Sequence, residues 1–246
     1  MADLKLWQTL ADWKKNCKWV DLTHELSPDT PHWVGFPAMS VETFMDLDSS
    51  IFRVHSYSVV GQYGTHVDVA THMTQTGRTL EEVRPEEMAL PLCVIDKTAE
   101  VAADPDYRMT REDIEAWEKT HGLIPEGAFV VFQSGWSKRE PGSFDNLDAD
   151  GNRHFPGWSM ESLEYLIEER NIAGVGHETS DTEAPVTSGK TSYAVEHYLL
   201  AQDRFQVELL TNVDQCPPVG ALVFCTFPKV RGATGFPARC FALCPK

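Results

Sequence analysis

The chain has 246 residues, enough for one large domain or two small ones, and its 42% hydrophobic and 24% charged residues are those of an ordinary globular protein. A formal net charge of −16 leaves no basic face for nucleic acid and no attraction to an anionic membrane surface. No apolar run approaches the ~20 residues of a membrane span, and Met1-Ala2-Asp3-Leu4-Lys5 lacks signal-sequence architecture, so a cytoplasmic location is expected.

Leu4, Trp7, Leu10, Ala11 and Lys14 recur at helical spacing and predict a helix from Leu4 to Lys15. Trp19 to Leu22 reads as a strand. Phe52 to Val60, rich in Val and Tyr, reads as another that feeds directly into the stretch from Gln62 to His72. Leu92 to Asp96 has the look of a short buried strand. Thr110, followed by the acidic Glu112 and Asp113, is an N-cap with a favourable first turn. Phe129 to Phe132 is a buried strand. Ser159 opens a helix running to about Arg170, with Leu163, Leu166 and Ile167 on one face.

A strand over Ile172 to Val175 leads into His177-Glu178-Thr179-Ser180-Asp181, and strand carboxyl ends are where α/β sheets place their sites. Ser192 to about Gln202 is helical. Strands follow over Phe205 to Leu210, Ala221 to Phe227 and Arg239 to Leu243. With no internal repeat and no low-complexity linker, residues 1–246 read as a single domain. Strands and helices alternate in the middle and strands cluster at both ends, which implies an α/β fold with a mixed sheet. Of the six cysteines only Cys240 and Cys244 are close, and no second pair completes a zinc site; buried thiols in a reducing compartment are expected.

Gln62-Tyr63-Gly64-Thr65-His66-Val67-Asp68-Val69-Ala70-Thr71-His72 carries the chemistry. Its imidazoles, carboxylate and carboxamide suit a divalent cation, Zn²⁺ or Mn²⁺. Gly64 permits a turn. In a short extended segment after it, His66 and Asp68 point to the same side. Gln62 could donate its carboxamide oxygen to the metal or only hydrogen-bond a neighbour. His72 could be a further ligand or a proton shuttle, for which an imidazole is suited.

Glu208 interrupts the apolar run Val207-Glu208-Leu209-Leu210, and a carboxylate in a buried strand needs a partner that a cation would supply. His197, or Glu196 beside it, lies across the Gln202-Asp203-Arg204 turn from Glu208 and could return to the same point, the helix phase being open by one residue. Trp33 could stack on an aromatic substrate. There is no G-x-S-x-G elbow, Walker loop or dinucleotide fingerprint, which leaves a metal-activated water as the best-supported chemistry.

These residues resemble the cyclase superfamily of metal-dependent hydrolases, which includes kynurenine formamidase, isatin hydrolase and trans-dienelactone hydrolase. The family signature H-x-G-T-H-x-D-x-x-x-H matches Gln62 to His72 at all but its first position. Asp21 to Pro28, Pro31 to Gly35, Glu178 to Asp181 and Gly235 to Arg239 are similar to further family segments. The resemblance implies a swivelling β/β/α domain in homodimers or homotetramers. His66, Asp68 and Glu208 would be metal ligands, His72 the proton shuttle and Trp33 the substrate-stacking aromatic. The family's remaining histidine falls at Glu196 by spacing, with His197 adjacent.

The implied activity is hydrolysis of a cyclic amide, lactone or aryl formamide of an aromatic or cyclic small molecule. A ring-closing cyclase and a non-catalytic binding protein are the alternatives. Gln62 stands where the family has a histidine; an amide oxygen is a weaker, harder ligand, so one metal instead of two and Mn²⁺ over Zn²⁺ are expected.

Overall fold

Central strands buried on both faces build the sheet on which the site rests. The computed structural model describes residues 4–185 and 190–246; Met1-Ala2-Asp3, part of the N-terminal segment read above, lie outside them. The strands are β1 (Cys17–Asp21), β2 (Ser40–Met45), β3 (Val54–Ser58), β4 (His66–Asp68), β5 (Ala89–Asp96), β6 (Arg108–Met109), β7 (Phe129–Gln133), β8 (Gly157–Trp158), β9 (Gly174–His177), β10 (Phe205–Glu208), β11 (Ala221–Thr226), β12 (Gly235–Pro237) and β13 (Arg239–Pro245). The α-helices are α1 (Lys5–Asn16), α2 (Thr98–Ala103), α3 (Arg111–His121), α4 (Met160–Glu164) and α5 (Ala194–Ala201).

Nine strands form one sheet in the order β1-β13-β11-β5-β7-β9-β10-β4-β12. The centre, β5-β7-β9-β10, is parallel and both flanks are antiparallel. Along β7 the side chains alternate between two cores, as a period of two requires. Phe129 and Val131 join Val20, Val67, Val207 and Val223, residues drawn from both ends of the sheet, so the sheet curls on itself. Val130 and Phe132 join Ile114, Leu163 and Leu199, the inward faces of α3, α4 and α5. Two β layers and a helical layer result, the β/β/α arrangement that the resemblance implies.

The helix starts follow local chemistry. Thr110 caps α3 by accepting from the Asp113 N–H, and Asp113 accepts from the Thr110 N–H in return. The helix beginning after Ser159 reaches the expected length only by widening, its last turns Tyr165–Glu169 being π-helical.

Three elements differ from the sequence reading. The strand expected over Phe52 to Val60 is the shorter β3, paired with the unanticipated β2 outside the main sheet. No residue of this hairpin is buried, so no burial alternation marked its limits. The strand expected over Ile172 to Val175 lies two residues later as β9, which makes His177 its last residue. In α1 the apolar stripe is present but no residue is buried. All six cysteines are free thiols; Cys93, Cys225, Cys240 and Cys244 are buried, and Cys17 and Cys216 half-buried. Among the described residues no helix is long and apolar enough to cross a membrane.

Candidate active site

The site grows from the pairing of β4 with β10, which sets His66 opposite Glu208 and Asp68 opposite Gln206. Between them Val67 faces Val207 in the inner core, so the four polar side chains share the other face of the sheet. Gly64, at φ +61°, makes the turn into β4. One turn of 3₁₀ helix, Ala70–His72, then brings His72 back over the strand. From above, α5 lays Glu196 on the cluster. The start of this helix is set by Glu183, whose carboxylate accepts from the backbone N–H groups of Val195 at 3.2 Å and Glu196 at 3.0 Å.

His66 donates from Nδ1 to the Gly64 carbonyl at 2.8 Å. A carbonyl only accepts, so Nε2 carries the lone pair of the neutral ring. That lone pair faces Asp68 Oδ2 at 3.2 Å and Glu208 Oε2 at 3.6 Å. Acceptors converging on one point need a cation or a proton between them. Burial opposes charge on His66, yet the two carboxylates outweigh it and raise the imidazole to about 9. Against the same burial, His66 holds the Asp68 carboxyl down to about 2. Burial pushes Glu208 well above the usual carboxylate range, with His66 opposing. Burial followed by the charge of Glu208 does the same to Glu196.

Asp68 Oδ1 is buried with no hydrogen-bond partner, as is Nδ1 of the neighbouring His177. His177 reaches Glu208 Oε1 at 3.4 Å, and burial, reinforced by His66, lowers its imidazole to about 3. Among the described residues two triads could hold a divalent cation: His66, Asp68 and Glu208, and Asp68, His72 and Glu196. Nitrogen and oxygen donors, an orphaned carboxylate oxygen and enclosed negative charge fit such an ion.

The remaining sequence candidates divide clearly. His72 is partly exposed to the cavity, its Nε2 3.6 Å from Glu196 Oε1. The Gln62 carboxamide packs 3.4 Å from His72 Nδ1 and 3.2 Å from Thr234 Oγ1, so of its two expected roles the geometry displays the contact with neighbours. Trp33 lines the cavity beside Phe36, their rings 5.0 Å apart. Its indole folds over Gly35, where a Cβ would meet the ring at 1.4 Å. His197 is a correction: the phase of α5 turns it to the exposed side, while Glu196, its neighbour, is buried in the cluster.

Glu178 turns away from the site. Its carboxylate accepts from the N–H groups of Ser134 and Gly135 and from the hydroxyls of Ser134 and Ser137, which makes it a staple between β7 and β9. Sequence reading missed Gln206, Phe36, Met73 and Tyr193. Only Gln206 carried a signal, a polar residue within an apolar strand.

The cavity has a volume of about 270 Å³. Trp33, Phe36, Met73 and Tyr193 line it together with Gln62, His66, Asp68, His72, Glu196 and Glu208. Asp181 also lines it, paired with Arg153 at 2.9 Å. The arrangement can hold a flat ring against aromatic surface with one edge on the acidic cluster.

Known proteins resemble the chain in sequence and in fold. The family model named Cyclase, described as "Putative cyclase", matches residues 20–184. The chain is 33% identical to an isatin hydrolase of Roseibium aggregatum over 244 residues, 92% of each protein. It superposes on isatin hydrolase A from Labrenzia aggregata, bound to benzyl benzoate, with a TM-score of 0.90 at 32% identity, covering 98% of this chain and all of that one. An isatin hydrolase bound to the product analogue thioisatinate gives a TM-score of 0.90 at 27% identity over the whole of both chains.

Proposed function

The chain belongs to the Cyclase family, and from that premise we propose that it is a metal-dependent hydrolase that opens a cyclic amide, of the isatin type, by attack of water. One observation carries the reading: the His66 lone pair and the Asp68 and Glu208 carboxylates converge on one buried point where only positive charge can stand. With one imidazole and two carboxylates, the donor set favours Mn²⁺ over Zn²⁺.

A divalent cation held by His66, Asp68 and Glu208 would polarise the amide carbonyl and make a water acidic enough to ionise near neutral pH. The chain's own residues do the rest. Trp33 and Phe36, which line the cavity beside the cluster, hold the ring. His72 takes the proton of the attacking water and returns it to the ring nitrogen as the C–N bond breaks, leaving an amine and a carboxylic acid that loses its own proton to solvent. For Nε2 to accept that proton, Nδ1 must carry a hydrogen. A half-turn of the Gln62 carboxamide, which keeps its contacts with His72 and Thr234, presents its oxygen to that hydrogen. Glu196, at 3.6 Å, stabilises the imidazolium that forms.

The protein acts as a homo-oligomer, most simply a homodimer. The β2–β3 hairpin supports this, since it exposes Phe44, Leu47, Ile51, Phe52 and Tyr57 on one arm. Cores shared by both ends of the sheet support a single domain over residues 1–246, and six unpaired thiols support a cytoplasmic setting. The test is elemental analysis of protein purified without added metal, followed by assay on isatin, simple lactones and formanilides. Bound divalent metal and opening of the cyclic amide are expected. Metal-replete protein that hydrolyses none of the three overturns the reading.

A further inference from the structure

We propose that Gln206 is a positioning residue that limits this site to one cation per chain and thereby leaves His72 free to carry protons; the inference rests on the metal-dependent reading above. Gln206 is fully buried on β10. Its Nε2 lies 3.2 Å from Asp68 Oδ2, 3.0 Å from Glu196 Oε1 and 3.1 Å from Glu208 Oε1. Its Oε1 accepts from the Thr182 hydroxyl, itself fully buried. The amide presents its NH₂ end to the ionised Asp68 carboxylate, which only accepts.

The three acids are those of both candidate triads. Asp68 is common to the two, Glu208 belongs to the first and Glu196 to the second. One neutral amide thus engages an oxygen of every carboxylate ligand in both. Its two hydrogens cannot satisfy three carboxylates, so a demand for positive charge remains. A single divalent cation in the first triad meets most of it, and the positive end of the amide dipole covers the balance. A second cation in the other triad would compete for carboxylate oxygens already held by Gln206, and would take the His72 Nε2 that faces Glu196. Replacing the amide by the isosteric carboxylate removes the donor and adds a negative charge, which reverses both conditions.

Gln206→Glu and Gln206→Leu, prepared beside wild type and reconstituted with Mn²⁺, test this by elemental analysis, titration calorimetry and Mn²⁺ electron paramagnetic resonance, with circular dichroism to establish folding. Wild type should bind one Mn²⁺ per chain. Gln206→Glu should bind two, with the spin-coupled spectrum of a neighbouring pair. Gln206→Leu should bind the first Mn²⁺ about 10–100-fold more weakly. If that variant does not fold, the isosteric glutamate decides alone. A Gln206→Glu protein that still binds one Mn²⁺, a folded leucine variant of wild-type affinity, or wild type that already binds two would overturn the proposal. Wild type that binds no Mn²⁺ at all would overturn the metal-dependent reading instead.

Discussion

Gly235→Ala is a sharp test of how the fold shapes the site. A Cβ at this position would lie 2.4 Å from Asp68 Oδ1, 2.5 Å from the Val67 carbonyl oxygen and 2.6 Å from the Gln62 carboxamide nitrogen. Carbon meets oxygen comfortably at about 3.3 Å or more, so the contacts must open by roughly 0.8 Å. Val67 O is main chain and cannot rotate away. Either β12 slides off its three-residue pairing with β4, or Asp68 and Gln62 leave their places. Overpacking of this kind costs about 1–3 kcal/mol. In a chain of this size each kcal/mol lowers Tm by about 2–4 °C, so a drop of about 2–12 °C is expected. A displacement near 1 Å in a site costs on the order of 10²-fold in rate. Calorimetric melting and Mn²⁺ titration of wild type and variant check both effects. A variant that melts within a degree of wild type and keeps its metal affinity and turnover would refute the claim that bare backbone at Gly235 makes room for Asp68.

Three further outcomes are expected. His72→Ala should lower turnover by about 10²–10⁴-fold while metal content stays near wild type; loss of metal in that variant would make His72 a ligand instead of the shuttle. Burial, with Arg153 opposing, lifts the Asp181 carboxyl to about 7. The native state therefore holds a proton that the unfolded chain releases near pH 4, and stability should fall as pH rises from about 4 to 7, by up to about 1.4 kcal/mol per unit. Asp181→Asn should flatten that slope in urea titrations, and an unchanged slope would assign it to other groups. Light scattering should give at least twice the chain mass, and a double Phe44→Asp, Ile51→Asp variant should return the monomer; a wild-type monomer removes the case for the hairpin as an interface.

Much of the site was legible because its residues are close in sequence. His66 and Asp68 sit two apart on an extended segment, and period two alone puts them on one face. Glu208 was visible as a charge inside an apolar run. The choice between Glu196 and His197 was not. Helix α5 is apolar on several sides, burying Val195, Leu199 and Leu200, so no polar stripe marks its phase. Its start is marked only in part by local chemistry. Tyr193 enters the helix in the left-handed region, Ser192 Oγ accepts from the Ala194 N–H, and the N–H groups of Val195 and Glu196 turn to Glu183, outside the helix. Gly235 and Gln206 depend on strands and residues that meet only in the folded chain, through β12 on β4 and β10 on β4.

The two carboxamides give the site its character. Where a histidine at position 62 would add a second imidazole ligand, Gln62 instead contacts His72 on the nitrogen that faces away from Glu196. On the opposite side, Gln206 ties down the three acids without adding charge. Gln62 leaves the first cation one imidazole fewer, and Gln206 withholds the free carboxylate oxygens that a second cation would need. Each also favours a mobile proton on His72, by orienting the ring or by keeping metal off it. If both act as proposed, they are not independent. Restoring histidine at position 62 should raise affinity for the first cation without admitting a second so long as Gln206 is present, because the oxygens of Glu196 and Asp68 remain engaged.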